Sequence, residues 1–274
     1  MQKRMLTPSE IAQATINAGI KKANLSALQM ILLGIFAGIF IGFGAQADIT
    51  VMQTLKNVDI GLMKFMGAAV FPVGLMLVVM AGAELFTGNN LMTLALMDKK
   101  ITLNQMLKNW FFVYLGNFIG SILLAAVVVK SGLYKIDTPA TQLATKIAAG
   151  KIGLAFNQAF LRAILCNIIV VLAVWLATGA QDVISKIFAC WFPIMMFVLS
   201  GYEHSVANMY FISLGKFLGL ETTWGQIWVK NLIPVTLGNI VGGAVIVPIV
   251  YYLVYIVPAK ENIDLERNIK SNLF

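Results

Sequence analysis

The chain has 274 residues, of which 59% are hydrophobic and only 12% charged, with a net charge of +8 and a single histidine. Soluble domains carry roughly 25% charged residues, so this composition argues against a water-soluble domain and for a membrane as solvent. The basic residues lie in the connections between apolar runs, which suits lipid headgroups and attraction of anions better than nucleic acid.

Six windows contain no Asp, Glu, Lys or Arg: 23–47, 65–83, 109–129, 163–181, 187–202 and 231–259. Most reach or approach the roughly 20 residues that cross a bilayer core as a helix. The expectation is an all-α membrane protein of one domain with six transmembrane helices. Lys3 and Arg4 precede a polar stretch rather than an apolar core with a small-residue cleavage site, so no secretory signal is expected. Cys166 and Cys190 fall inside apolar runs, where they pack as small hydrophobes rather than pairing. With the N-terminus inside, eleven Lys and Arg fall in inner segments and nine in outer ones, which favours that orientation by a small margin.

Thr7-Pro8-Ser9-Glu10 reads as a helix start, with Thr7 as cap, Pro8 at the first helical position and Glu10 completing a capping box. Residues 1–24 are expected as an amphipathic helix on the inner membrane surface, with Lys21 and Lys22 at its basic end, an anchor in preference to a gate. The first repeat, 25–130, opens with a span from Leu25 to Ala45 whose Gly34, Gly38, Gly42 and Gly44 are spaced for close helix contact. A second span begins near Ile60 and reaches Glu84. Leu85-Phe86-Thr87-Gly88-Asn89-Asn90 then interrupts an apolar run that resumes over Leu91 to Met97. Gly-Asn-Asn is turn chemistry, so the break is expected within the membrane, where irregular backbone survives only buried in protein or lining a cavity. The third span covers Asn109 to Val129.

Residues 131–153 are expected as a connecting loop. The second repeat, 154–257, starts with a span from Leu154 to Ala177 and a turn at Gly179-Ala180-Gln181-Asp182. The fifth span, Val183 to Glu203, is broken at His204 as the second is broken at Thr87. The sixth, from Lys230, is long, and 258–274 is expected as a flexible polar tail.

Lys108-Asn109, Leu115-Gly116-Asn117 and Gly120 recur as Lys230-Asn231, Leu237-Gly238-Asn239 and Gly242, a spacing of 122. Glu84 and Glu203, each just ahead of a break, are 119 apart. The chain therefore reads as a duplication of three spans plus three, although the first and fourth spans show no comparable match. Three is odd, so the second half enters the membrane in the opposite direction. Inverted repeats with paired broken helices are a transport architecture, with the substrate path where the breaks meet.

The segments Glu84-Leu85-Phe86-Thr87-Gly88, Lys108-Asn109 with Leu115-Gly116-Asn117, Cys166-Asn167, and Ser200-Gly201-Tyr202-Glu203-His204-Ser205-Val206-Ala207-Asn208-Met209 together resemble the formate/nitrite transporter family. The resemblance covers nearly the whole chain and is most similar to the hydrosulfide channel branch, with likeness to nitrite members as well. It implies an aquaporin-like protomer in a homopentamer, in the inner (plasma) membrane with a cytoplasmic N-terminus, passing formate, nitrite or hydrosulfide. It implies one hydrophobic constriction of Leu75, Leu85 and Phe197 and another of Phe71 and Phe86. Thr87, Asn167 and His204 would lie between them, Lys151 near the outer mouth, and Glu84 and Glu203 as supports of the broken helices.

Each residue also has a plainer reading. His204 could be a core histidine bonded to Glu203 or to a carbonyl, Thr87 a helix cap, Asn167 interhelical glue, and the apolar residues ordinary packing. An ionisable group at membrane depth costs on the order of 2.5–3.5 kcal/mol on insertion scales, which favours a functional His204. Glu84 and Glu203 are expected to accept backbone donors from the facing loop. A membrane enzyme is disfavoured: one histidine cannot supply paired haem ligands, and no Cys/His cluster has metal-ligand spacing. No metal, cofactor or nucleic acid is expected; the partners are a small anion, membrane lipid and further copies of the chain. The alternative is a neutral-solute channel of aquaporin type, against which stands the absence of an Asn-Pro-Ala signature.

Overall fold

The computed structural model describes residues 5–259, so Lys3, Arg4 and nearly all of the expected tail 258–274 lie outside the described residues. The described chain is almost wholly helical. Five stretches are long and apolar enough to cross a membrane: Ala27–Asn57, Ile60–Gly82, Leu103–Lys130, Phe156–Gly179 and Trp224–Ala259. A sixth apolar helix, Val183–Leu199, has 17 residues. We number the helices α1 (Pro8–Ala23), α2 (Ala27–Met52), α3 (Ile60–Gly82), α4 (Phe86–Asn89), α5 (Met92–Met97), α6 (Leu103–Lys130), α7 (Pro139–Ile152), α8 (Phe156–Gly179), α9 (Val183–Leu199), α10 (Ser205–Phe217) and α11 (Trp224–Ala259).

Helix α1 has the expected start, with Thr7 and Glu10 forming a reciprocal capping box and Pro8 in the first turn. Its apolar face packs on protein. Ala12 and Ile16 are fully buried, and Gly19 passes so close to Ala95 of α5 that a Cβ would need the neighbour to move. The chain before it is tied to the α8–α9 turn, where Leu6 N–H donates to Gly179 O at 2.9 Å. An amphipathic face meets protein as readily as lipid, and its sequence does not say which.

Residues 131–153 also depart from expectation. Thr138 caps and Pro139 opens α7, the signal already met at Thr7-Pro8, so most of this connection is helix. The break after the second span falls earlier than the turn chemistry suggested. Gly82 has φ +90° and ends α3, Ala83 to Leu85 are extended or irregular, and Phe86 to Asn89 is already helical. Its counterpart is Gly201, φ +70°, which ends α9 short of a full crossing before α10 resumes at Ser205. Only glycine tolerates this backbone cheaply. In α11, widened π turns at Trp228–Leu232 and Val241–Ile246 come just before Pro234 and Pro248, residues with no N–H to donate.

The glycines bring backbones together in pairs. Gly34 and Gly38 of α2 face Val113 and Asn117 of α6, and Gly116 and Gly120 face Ile31 and Ile35 in return. Gly238 and Gly242 of α11 meet Phe160 and Ile164 of α8 in the same way. A side chain at any of these would strike a carbonyl, so small residues permit the approach that helix association in lipid needs.

That approach lets one asparagine stitch each break. Asn117 Oδ1 accepts from Phe86 N–H at 2.9 Å, while its Nδ2 donates to Glu84 O and to Gly34 O, both at 2.9 Å. Asn239 does the same: Oδ1 accepts from Ser205 N–H at 2.9 Å, and Nδ2 donates to Glu203 O at 3.0 Å and Ala163 O at 2.8 Å. Glu84 N–H donates to Leu33 O, and Glu203 N–H to Arg162 O. Here the first and fourth spans correspond: Leu33 to Arg162 and Gly34 to Ala163 are each a shift of 129 residues. Those partners contribute only backbone carbonyls, so their side chains were free to diverge.

Asn117→Leu removes the partner of the Phe86 N–H and the Glu84 C=O inside the membrane. Gly34 O loses less, because it sits within α2. With about 1–3 kcal/mol for each orphaned group, we expect a loss of about 2–6 kcal/mol, and a comparable loss for Asn239→Leu. Thermal unfolding in detergent measures it; unchanged melting of either variant would refute the bracing role.

Candidate functional site

The two breaks meet side chain to side chain. Thr87, in the first turn of α4, places Oγ1 at 2.8 Å from His204 Nε2, and His204 is the N-cap of α10. Both are buried, Thr87 completely. The other ring nitrogen, Nδ1, accepts from Ala207 N–H at 3.1 Å. That bond requires Nδ1 to be unprotonated, so the neutral ring carries its proton on Nε2 and donates it to Thr87. The Thr87 hydroxyl, used there as acceptor, keeps its own proton to donate elsewhere. Asn167 of α8 supports the first break from behind, its Nδ2 within reach of Thr87 O (3.3 Å), Asn90 Oδ1 (2.8 Å) and Asn239 O (2.7 Å).

Cavities approach this pair from opposite sides. One of about 950 Å³, called outer after the expected orientation, is lined by Phe71, Phe197, His204, Glu203 and Lys151. An inner one of about 330 Å³ is lined by Leu75, Leu85, Gly88, Glu84 and Lys22. The apolar residues group differently from the expected constrictions. Phe71 and Phe197 are together on the outer side, ring centroids 5.9 Å apart edge to face, and Phe197 stacks on the His204 ring at 5.9 Å. Leu75 and Leu85 share the inner cavity. Phe71 and Leu75 lie one helical turn apart on one face of α3, which puts them at different depths. Phe86 turns away, edge-on to Trp110 at 5.8 Å and to Tyr114 at 4.9 Å, beside an apolar groove between α6 and α11.

The outer cavity is basic. Lys56, Lys64, Lys146, Lys151 and Arg162 line it against the carboxyls of Asp48 and Glu203. Lys151 Nζ lies 3.1 Å from Glu203 Oε1 and 5.3 Å from the Phe211 ring centroid. Lys22, which the sequence reading placed only in a basic helix end, makes the matching ion pair with Glu84 on the inner side. The signal was present: Lys22 to Lys151 is the same shift of 129 residues that relates the first and fourth spans.

Glu84 and Glu203 do not accept the backbone donors assigned to them. Glu84 takes Lys22 and Asn89 Nδ2 (2.6 Å), and Glu203 takes Lys151 and Asn208 Nδ2 (2.6 Å). The backbone donors go to Asn117 and Asn239, and a carboxylate is left for the charged partner. Asn89 and Asn208 then reach Asn109 and Asn231, both at 2.8 Å, whose own amides donate to Lys22 O and Lys151 O. Each lysine is held at both its ammonium and its carbonyl.

The bracing residues repeat while the residues at the meeting point differ. By the shift of 119 that relates Glu84 to Glu203, His204 stands where the first half has Leu85, and Val206 where it has Thr87. A symmetric frame thus carries an asymmetric centre, in which each break offers one polar residue, Thr87 or His204, at a position where the other has an apolar one.

Lys22→Met leaves Glu84 buried without its cation. Buried pairs cost about 3–5 kcal/mol to break, and the part exposure of Lys22 lowers that to about 1–3 kcal/mol. Adding Glu84→Gln should return most of the loss, read as a double-mutant cycle of melting temperatures; strictly additive effects would exclude the pairing.

A family profile described as Formate/nitrite transporter matches residues 9–253. The chain is 43% identical over 255 residues to the Uncharacterized transporter YrhG of Bacillus subtilis (strain 168), covering 90% of this chain and 93% of that one. It is 41% identical over 250 residues to the Formate channel BtFdhC of Bacillus thuringiensis, covering 90% and 95%. A solved structure described as a pentameric formate channel with formate bound superposes with a TM-score of 0.76 at 33% identity, over 84% of this chain and 97% of that one. This multi-pass membrane chain, a transporter rather than an enzyme, belongs to the formate/nitrite transporter family.

Proposed function

We propose that the protein is a channel for small monovalent weak-acid anions, with formate first among them. The observation that carries this reading is the Thr87–His204 pair, buried between an outer apolar rim of Phe71 and Phe197 and an inner one of Leu75 and Leu85. One solved structure it resembles is described as a pentameric formate channel, and a curated relative is named a formate channel, which supports formate ahead of nitrite. Hydrosulfide, the branch nearest by the sequence motifs, is the second reading. The same likeness supports a homopentamer. The matched bracing of the two breaks supports an aquaporin-like protomer of six spans in a 3+3 inverted repeat. The N-terminus lies in the cytoplasm, and the protein in the inner (plasma) membrane.

Vestibule lysines raise the local anion concentration before any dehydration occurs. At the apolar rim the anion loses water, and a bare charge there is costly. The Thr87 hydroxyl, polarised by His204, offers a hydrogen bond at the narrowest point. A weak-acid anion has a second resource, since taking a proton makes it neutral. Chloride has none. Lys56, Lys64, Lys146 and Arg162 supply positive potential at the mouth, while Lys151 is paired with Glu203.

The test is stopped-flow flux into proteoliposomes with formate, hydrosulfide, nitrite, chloride and glycerol offered separately. We expect formate flux with little chloride and no glycerol, rising as pH falls; rapid glycerol flux would instead select the neutral-solute channel. His204→Phe should cut formate flux at least tenfold in an assembled protein, which fits loss of one charge-assisted contact at about 1.4 kcal/mol per tenfold. Thr87→Val, equal in shape but without a hydroxyl, should do the same. Near-normal flux in both variants would remove the pair from the mechanism.

A further inference from the structure

The outer cavity holds one acid that the path as described leaves unused. Asp48 lies on α2, four residues before that helix ends at Met52, and is only 5% exposed. It lines the cavity that Phe71, Phe197 and His204 share, and its Oδ1 has no hydrogen-bond partner. Space is made for it. Gly67 of α3 faces the carboxyl, and a Cβ there would run into Asp48 Oδ1 and come within 2.6 Å of Met52 Sδ. Buried polar atoms are ordinarily satisfied, and an unpaired buried charge is costly, so such a group contributes nothing to stability as it stands.

Its surroundings leave Asp48 free to exchange a proton. The charged groups sharing the cavity are Lys56, Lys64 at the start of α3, Lys146 and Lys151 of α7, Arg162 of α8, and Glu203 with His204 at the second break. Glu203 is already held by Lys151 and Asn208. Tyr134, in the connection after α6, donates to Gln46 Oε1 at 2.8 Å. Its hydroxyl is pushed up to about 12, by burial first and with the Asp48 charge adding to it, so it remains neutral. Tyr210 of α10 donates to the same Gln46 oxygen at 2.7 Å. Lys151 lines the same cavity as Asp48.

Resting on the anion-channel reading, we propose that Asp48 is a proton-exchange residue of the outer cavity, which protonates the anion before it meets the Phe71–Phe197 rim. The carboxyl O–H bond breaks and an O–H bond to a formate oxygen forms, leaving neutral formic acid and the Asp48 carboxylate. A hydronium ion of the cavity water restores the proton, so one proton and one anion move inward together. Lys151 offsets the carboxylate in the interval.

The test is formate influx into proteoliposomes across a series of outside pH, comparing the unmodified protein with Asp48→Asn, which keeps the shape and lacks the exchangeable carboxyl proton. Influx near neutral pH should fall at least fivefold, and the deficit should close as the outside is acidified and bulk water supplies formic acid directly. An unchanged pH profile would overturn the proposal. So would a rise in flux, which would make the carboxylate a mere repulsive charge. Melting and oligomeric state check assembly; if the amide variant does not assemble, Asp48→Ser, smaller at the same place, carries the same expectation. No formate flux in the unmodified protein would overturn the channel reading itself and this proposal with it.

Discussion

Two interruptions of helix at membrane depth are the constraint on which the rest of this structure depends. Each strands backbone donors and acceptors where no water is at hand, and each is affordable only if protein supplies the partners. Asn117 and Asn239 supply them, each accepting one N–H and donating to two carbonyls. For an asparagine to reach across, α6 must approach α2, and α11 must approach α8, to backbone contact. The paired glycines follow from that need. Breaks, asparagines and glycines form one arrangement made twice.

What the arrangement holds in place is not duplicated. The first break presents Leu85 and Thr87; the second presents His204, which caps its own half-helix and so fixes its ring. Because the cap occupies Nδ1, the neutral imidazole can only donate toward Thr87, and Thr87 can only pass a proton's worth of polarity onward. Local helix capping thereby sets the polarity of the centre. The flanking ion pairs, Lys22 with Glu84 and Lys151 with Glu203, place one cation toward each cavity while keeping both glutamates compensated.

Much of this was legible in residue order. Apolar run lengths announced the membrane, Thr7-Pro8 announced a helix start, and the Asn109 and Asn117 motif with its recurrence at Asn231 and Asn239 announced a duplication. Two stretches differ from their local signals for a shared reason. Residues 131–153 read as loop but carry α7, and Leu85 to Asn90 reads as the first break, although the helix already ends at Gly82 and resumes at Phe86. In each case a local signal was ambiguous until something packed against it. Gly82 and Gly201, which end their helices with positive φ, look in the sequence like any other glycine of an apolar run.

Residue order alone carried the membrane as solvent, the helical class, the recurring asparagine and glycine motif and the residues most costly to place in a membrane, because length, period and burial cost are properties of the chain alone. Tertiary structure alone decided which groups meet. Thr87 and His204 are 117 residues apart, and Asp48 and His204 line one cavity built from several helices. Leu33, Arg162 and Ala163 serve the breaks through main-chain carbonyls that every residue possesses. A contact made by backbone leaves no mark on side-chain identity, so only the packed chain can reveal it.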